Sequence, residues 1–245
     1  MTDNSRQDNI YSKPRSNVAG FTFDENVARV FPDMIKRSAP GYGPIIDMIC
    51  MLTRHYVRPN SNCYDLGCSL GAAALAIRHG IHVPGCRIIA VDNSKSMLEQ
   101  CRGIIDKDKT KTPVDLVNAD IRDVDIKNAS VVVLNFTLQF IDPADRLSLL
   151  QKIYDGMLPG GVLILSEKIV FENPQKQSLM TELHLAFKKF HGYSDLEISQ
   201  KRSALENVLV PETVGTHINR LKKAGFARAE QWFLCFNFSS FIAIK

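Results

Sequence analysis

Five runs of the chain are rich in Val, Ile and Leu, and stretches with helical spacing of apolar residues lie between most of them. The strand-like runs cover 62–66, 86–92, 114–120, 129–136 and 161–167. The helical stretches cover 70–79, 94–106 and 143–157. Strands that are apolar on both faces and alternate with helices are typical of a parallel sheet covered on both sides. The pattern therefore predicts a three-layer α/β fold with a mostly parallel sheet.

Two further helices are predicted before the first strand. The apolar spacing is helical over 24–38, where Asp24 is a candidate N-cap, and again over 44–57. Residues 1–20 are mostly polar, and we expect them to form a flexible tail. The remaining residues, 21–245, are expected to form a single domain.

The alternation of strands and helices breaks after the fifth strand. Residues 168–210 predict a helical insertion. Its two helices are expected at 174–190 and 195–208. A helix over 211–224 follows, with Pro211 at its start and Gly225 as its C-cap. The chain then ends in two adjacent strand-like runs, at 226–236 and 237–244. Because they are too close for a crossover helix, they predict an antiparallel hairpin that completes a seven-stranded sheet.

Composition and charge narrow the class of protein. The 245 residues are 45% hydrophobic and 23% charged, which is enough apolar material for a full core. The net charge of +4 is spread evenly along the chain and does not by itself predict nucleic-acid binding. The six cysteines form no C-x-x-C pair, so we expect no metal site and favour a reducing, cytoplasmic compartment. No signal peptide or membrane span is predicted, since no apolar run approaches ~18 residues.

Candidate binding residues stand where four of the predicted parallel strands end. They are Gly67, Cys68, Ser69, Asp92, Asn93, Asp120, Ile121 and Asn135. The glycines of the first loop allow a tight turn and a close approach of the backbone to a ligand. A carboxylate such as Asp92 can accept hydrogen bonds from ribose hydroxyls. Asp120 and Ile121 can contact the amino group and the face of an adenine ring.

Each of these residues also has a purely structural interpretation. The glycine loop suits a plain strand-to-helix turn, Asp92 a helix N-cap, Asp120 a turn and Asn135 a strand end. Together, however, they lie at the carboxyl ends of successive strands, where open α/β sheets bind ligands. We therefore predict a nucleoside-containing cofactor. Because Ser69 occupies the middle position of the loop, the G-x-G-x-x-G signature of dinucleotide sites is not met.

This arrangement resembles the class I S-adenosylmethionine-dependent methyltransferase superfamily, whose Rossmann-like fold carries the loop D-x-G-x-G-x-G after its first strand. Asp65, Gly67 and Gly71 match that loop, and Ser69 departs from it. The departure places a side chain where the backbone usually meets the amino-acid end of the cofactor.

Longer segments are similar to the carboxy-S-adenosyl-L-methionine synthase family. They read DLGCSLGAA, AVDNS, NADIRD, VVLNFTLQF and, most specifically, GYSDLEISQKRSALENV. The resemblance implies an enzyme that uses prephenate to carboxylate S-adenosylmethionine, and a homodimer. A separate tRNA carboxymethyltransferase would then use the product on a wobble uridine, with no direct tRNA binding by this chain. The family's cofactor residues fall on Tyr42, Gly67, Cys68, Ser69, Asp92, Asn93, Asp120, Ile121, Asn135 and Arg202.

Tyr42 and Arg202 are the residues to which the resemblance gives a part in the chemistry. Arg202 is expected to reach the site of the neighbouring subunit. A guanidinium repels a sulfonium but pairs with the carboxylate that replaces a methyl hydrogen. The structural alternatives are a solvated helix-surface arginine and a buried tyrosine with its hydroxyl at a rim. An ordinary methyltransferase acting on a small molecule or tRNA, and a non-catalytic cofactor-binding subunit, are the alternative functions.

Overall fold

The computed structural model describes residues 6–16, 18–206 and 208–245. Over these residues seven strands form one sheet. They are β1 Asn62–Leu66, β2 Arg87–Asp92, β3 Val114–Asn118, β4 Ala129–Asn135, β5 Met157–Lys168, β6 Arg228–Cys235 and β7 Phe238–Ile244. The order across the sheet is β3-β2-β1-β4-β5-β7-β6. The first five strands pair in parallel, and β7 runs antiparallel to both β5 and β6, which confirms the predicted fold class.

Helices cover both faces of this sheet. Those of the described residues are α1 Glu25–Ser38, α2 Tyr42–Tyr56, α3 Ala72–Gly80, α4 Lys95–Ile105, α5 Arg146–Gly156, α6 Pro174–Phe190, α7 Asp195–Leu205 and α8 Val214–Lys223. Asp24 caps α1 as predicted, because its side chain accepts the Val27 amide at 2.9 Å. A capping box of Ser194 and Glu197 fixes the start of α7. None of the helices in the described part of the chain is long and apolar enough to cross a membrane.

The topology reverses between β1 and β4. β1 pairs with β2 on one side and with β4 on the other, so the chain winds outward in one direction to β3 and in the other to β5. Crossovers that leave in opposite directions open a crevice at the carboxyl ends of the two central strands. This crevice is where the predicted binding residues converge.

The core lies in two layers, one against each face of the sheet. Along β4, Val131 and Val133 point into one apolar cluster, and Val132 and Leu134 point into the other. All four side chains are fully buried. Burial of each contributes about 1.5–3 kcal/mol, so the central strands form a rigid platform for the loops at their ends.

Three predicted helix boundaries are wrong by three residues. α5 begins at Arg146 rather than at 143, and α7 ends at Leu205 rather than at 208. α8 begins at Val214 rather than at Pro211, because the Thr213 hydroxyl accepts the Thr216 amide at 3.1 Å and supplies the N-cap. At the other end Gly225 follows the final helical turn with a φ of 113°, a conformation that only glycine adopts without strain.

Residues 6–16 pack against the domain and so differ from the flexible tail expected there. Asp8 is 2% exposed, and its carboxylate lies 3.2 Å from the ammonium group of Lys201. The side-chain amide of Gln200 donates to two backbone carbonyls of the segment, each at 2.9 Å. Polar contacts such as these hold the segment in place without a periodic pattern of apolar residues, so the sequence did not predict them. Residues 1–5 of the predicted tail lie outside the described residues.

Candidate active site

A cavity of about 540 Å³ opens at the carboxyl ends of the parallel strands, between the sheet and helices α1, α6 and α7. Its size falls within the range of small-molecule sites, about 300–1,000 Å³. Nine of the ten binding residues predicted from the sequence line it. They are Tyr42, Gly67, Cys68, Ser69, Asp92, Asn93, Asp120, Ile121 and Asn135. The fold thus brings together residues that are up to 93 positions apart in the sequence.

The glycine loop forms the floor of the cavity. Gly67 has a φ of 85°, and a Cβ atom there would overlap the Thr137 side chain from the loop after β4. Ser69 also has a positive φ, of 47°, although it carries a side chain. Its backbone amide donates to the carboxylate of Asp92 at 2.8 Å, which holds the loop in this shape. This loop has serine where the methyltransferase motif has glycine, and the hydrogen bond to Asp92 at the end of β2 accommodates it.

Asp92 organises two loops and is not the helix cap that its sequence position allowed. Its second oxygen accepts the Ser94 amide at 2.8 Å, and Ser94 itself is the N-cap of α4 through the Met97 amide. Burial raises the pKa of Asp92, and the amides of Ser94 and Ser69 oppose that rise. A carboxylate fixed by two backbone amides keeps further acceptor positions for hydroxyl groups of a ligand.

Asp65 is a candidate binding residue that the sequence showed only as part of the loop motif. It is 1% exposed, lines the cavity, and neither carboxylate oxygen has a hydrogen-bond partner in the described residues. Burial raises the pKa of Asp65 to about 7; the nearby backbone amide of Ala74 opposes this rise, and the charge of Asp92 adds to it. The amide oxygen of Asn135 is also buried without a partner there. Buried polar atoms in this state are suited to a ligand that brings donors or a positive charge.

Asp120 pairs with Arg122, a contact that the sequence analysis did not predict. β3 ends at Asn118, so Asp120 and Ile121 lie in the turn beyond it. The guanidinium of Arg122 bonds both carboxylate oxygens of Asp120, at 3.0 and 2.8 Å, and lowers its pKa. The carboxylate is thereby held in place as an anion at the rim. Ile121 is buried beside it and presents apolar surface to the cavity.

Tyr42 closes the cavity from the start of α2. Its ring stacks on Phe136, with centroids 6.3 Å apart and planes 27° from parallel. Burial and the Asp65 carboxylate raise the pKa of Tyr42, so the phenol stays protonated and can donate a hydrogen bond. Tyr42 thus lines the cavity, and the ligand contact that the resemblance implies for it stays a prediction.

Basic side chains line the other end of the cavity, and no motif or spacing in the sequence predicted them. Lys168 ends β5, and His184 and Lys188 lie one turn apart on α6. The Nε2 atom of His184 contacts the Ser38 carbonyl oxygen at 2.9 Å, and burial lowers the pKa of His184 to about 3. The ring is therefore neutral. These residues lie 97 or more positions beyond the end of the glycine loop at Gly71, and only the folded chain shows that they share its cavity.

Arg202 is the predicted residue that does not line the cavity of its own chain. It is exposed on α7, next to the buried Lys201. Partial burial lowers the pKa of Lys168, and the charge of Arg202 lies close enough to lower it further.

Comparisons with known proteins agree with this geometry. A family model described as a methyltransferase domain matches residues 64–161. A carboxy-S-adenosyl-L-methionine synthase from Aliivibrio fischeri is 58% identical over 97% of this chain and 98% of the relative. Proteins of the same name from Salmonella paratyphi C and Klebsiella pneumoniae are 57% and 56% identical, each over 98% of both chains.

This chain belongs to the carboxy-S-adenosyl-L-methionine synthase family.

Membership of this family makes the chain a transferase that depends on S-adenosylmethionine. Solved structures support the fold. An O-methyltransferase family protein from Burkholderia thailandensis has a TM-score of 0.64 at 17% identity, covering 91% of this chain and 60% of that one. Human N-acetylserotonin methyltransferase, solved with S-adenosylmethionine, has a TM-score of 0.60 at 16% identity, covering 90% of this chain and 55% of that one.

The residues of the cavity fit S-adenosylmethionine. The two unpartnered oxygens of Asp65 suit the ammonium group of its amino-acid end. Asp92 can accept hydrogen bonds from the ribose hydroxyls. Ile121 offers an apolar surface for the adenine ring. In the described part of the chain, no group of three or more His, Cys, Asp or Glu side chains could hold a metal ion.

Proposed function

We propose that this enzyme converts S-adenosylmethionine and prephenate to carboxy-S-adenosyl-L-methionine and phenylpyruvate. The observation that carries the proposal is the identity of 56–58%, over nearly the full length, to synthases named for that product. The match includes the insertion after β5, whereas the methyltransferase family model ends at residue 161.

The reaction balances without a side-chain nucleophile. Prephenate loses its ring carboxylate as carbon dioxide and its ring hydroxyl as hydroxide, and the ring becomes aromatic in phenylpyruvate. The hydroxide takes a proton from the methyl group next to sulfur, which gives water. The methyl carbon then bonds to the carbon dioxide. Within this scheme the protein confines both partners and excludes bulk water, which would compete for the reactive carbon.

The described residues suit such confinement. Residues from α1, α6 and α7 cover the cavity, and Phe23, Phe31 and Phe140 form a run of edge-to-face contacts on one wall. Aromatic walls of this kind exclude water while leaving few polar atoms to be satisfied. Tyr42 supplies a protonated hydroxyl at the opposite side, which is suited to the amino-acid end or to the new carboxylate.

The proposal includes a homodimer in which Arg202 serves the neighbouring site. Its exposure on α7 and its place outside its own cavity support this role. At about 4 Å and an effective dielectric near 20, its attraction to the new carboxylate is roughly 4 kcal/mol before desolvation costs. Half of that favours the carboxylated form over the methyl form by roughly ten- to thirtyfold. We expect Arg202→Ala to lose that preference while S-adenosylmethionine still binds.

We further propose that the enzyme acts in the cytoplasm and supplies the donor for a tRNA carboxymethyltransferase, which forms a 5-oxyacetyl uridine at the wobble position. The even distribution of charge along the chain gives no independent reason to expect contact with tRNA. The partner enzyme, not this chain, would contact the nucleic acid.

The test is mass spectrometry of the products of the purified enzyme with S-adenosylmethionine, with and without prephenate. A compound heavier than S-adenosylmethionine by one carbon dioxide, formed only with prephenate and in equal amount to phenylpyruvate, is the expected result. Unchanged S-adenosylmethionine, or its demethylated product once small molecules or tRNA are added as acceptors, would support the ordinary methyltransferase instead.

A further inference from the structure

The cavity is polarised along the edge of the sheet. Asp92, Asp65 and Asn135 mark the ends of β2, β1 and β4, and Lys168 ends β5 on the far side of β4. Neighbouring strands lie ~4.8 Å apart, so β5 is roughly 10 Å from β1. The acidic half suits the cationic S-adenosylmethionine. The half beyond β4 carries the opposite charge and lies beside it in the same cavity.

Two lysines of this basic half have no counter-ion among the residues that the structure describes. Lys201 is paired with Asp8 at 3.2 Å and also bonds the Ser38 hydroxyl at 3.0 Å. For Lys168 and Lys188, by contrast, no hydrogen-bond or salt-bridge partner of the ammonium group is found in residues 6–16, 18–206 and 208–245. Both face the cavity, and neither contacts the carboxylates of its acidic half.

Ammonium groups without a counter-ion at the wall of a cavity are unfavourable in free energy unless an anion pairs with them. Partial burial of Lys188, together with the nearby charges of Lys201, Lys168 and Arg202, lowers its pKa to about 7. Buried charges in proteins are ordinarily paired, because desolvation of an unpaired ammonium group is strongly unfavourable. A ligand with negative charge would supply the missing partner, and a second substrate with two carboxylates fits that need.

We propose that Lys168 and Lys188 form an anion subsite that binds the pyruvoyl carboxylate of prephenate, an assignment that rests on the proposed function. The ring carboxylate is a poor candidate for these lysines, because it leaves as neutral carbon dioxide. An ion pair to it would stabilise the ground state more than the transition state and would slow the reaction. The pyruvoyl carboxylate keeps its charge throughout, so an ion pair to it positions the substrate at no such cost.

The test replaces each lysine with methionine, which keeps the length and removes the charge. We expect Lys168→Met and Lys188→Met each to raise the KM for prephenate at least tenfold, equivalent to about 1.4 kcal/mol, with kcat changed less than threefold. The Kd for S-adenosylmethionine should change less than twofold. Lys188→Arg should recover most of the loss. Lys189→Met is the matched control, because this lysine lies on the same helix with a 54% exposed side chain.

Phenylpyruvate distinguishes the two carboxylates, because it keeps only the pyruvoyl one. Its inhibition constant should rise tenfold or more in both methionine variants. A raised KM with an unchanged inhibition constant would overturn the assignment to the pyruvoyl group. An unchanged KM in folded variants, or an equal loss of S-adenosylmethionine affinity, would overturn the subsite. Where a methionine variant does not fold, the glutamine variant at that position is measured instead.

Failure of the proposed reaction would look different. If the wild-type enzyme gives no carboxylated product, calorimetric titration of phenylpyruvate into the enzyme loaded with S-adenosylmethionine still tests the subsite. If phenylpyruvate binding is lost in Lys188→Met but kept in Lys189→Met, the anion subsite is supported, although the missing product has refuted the reaction. Binding that is the same in both variants would refute the subsite.

Discussion

Asp65→Asn should make the ligand-free protein more stable and weaken its binding of S-adenosylmethionine. The buried carboxylate has a pKa of about 7 in the folded chain against an ordinary value of 3.8. At ~1.36 kcal/mol per pKa unit, ionised Asp65 costs the folded state about 4 kcal/mol. Asparagine removes that charge but leaves amide donors to be satisfied, which costs about 1–3 kcal/mol. We therefore expect a net gain of about 1–3 kcal/mol in the free energy of unfolding above pH 7.

The dependence on pH gives this prediction its sign. Because the folded pKa lies above the unfolded one, the folded state holds the proton between about pH 4 and 7 after the unfolded state has lost it. Wild-type stability therefore falls over that range, and the fall is absent from the variant. The advantage of Asp65→Asn should be about 2–3 kcal/mol larger at pH 8 than at pH 5.

Urea unfolding of both ligand-free proteins at pH 5 and pH 8 measures this difference directly. Calorimetric titration with S-adenosylmethionine provides the functional half, where we expect affinity to fall at least tenfold, since the ammonium group loses its carboxylate. An advantage that is equal at both pH values, or larger at pH 5, would refute the assigned pKa. Unchanged affinity would refute the role of Asp65 in binding.

Three further substitutions test the scaffold around the site. Gly67→Ala forces a side chain into left-handed backbone, so it should destabilise the fold by about 1–2 kcal/mol. It should also abolish the binding of S-adenosylmethionine. Calorimetry measures both effects, and normal binding would contradict the account. Glu212→Ala removes the carboxylate that pairs with the fully buried Arg146. The free energy of unfolding in urea should fall by about 3–5 kcal/mol, and the Kd for S-adenosylmethionine should be unchanged in the folded protein. Asp8→Ala removes the partner of buried Lys201 and should release residues 6–16, so limited proteolysis should cut within them faster than in wild type; equal cleavage rates would show that the ion pair does not hold the segment.

The sheet could be predicted because its strands are buried on both faces. Continuous apolar runs such as those of β4 and β5 leave no ambiguity between strand and surface helix. The end of β3 was less clear, since its residues are only partly buried, and the predicted strand ran on to Asp120. The start of α8 was misplaced because Pro211 and Thr213 are both good helix-start residues, and only the geometry shows which one caps.

The acidic half of the site was predictable and the basic half was not. Asp92, Asp120 and Asn135 follow strands directly, so their place at the sheet edge follows from topology alone. Lys188 lies in an amphipathic helix, where a lysine is ordinarily a solvated surface residue. Its approach to the cavity depends on how the insertion folds back over the sheet, which no local pattern encodes.

The most direct test of the account follows the carboxyl group itself. The enzyme is given S-adenosylmethionine and prephenate labelled with carbon-13 in the ring carboxylate, in buffer that contains excess unlabelled bicarbonate. If both substrates share one closed cavity, the carboxylated product should carry the label at nearly the enrichment of the prephenate. A product that carries mainly unlabelled carbon would show that carbon dioxide escapes before capture, and the absence of any carboxylated product would refute the proposed reaction.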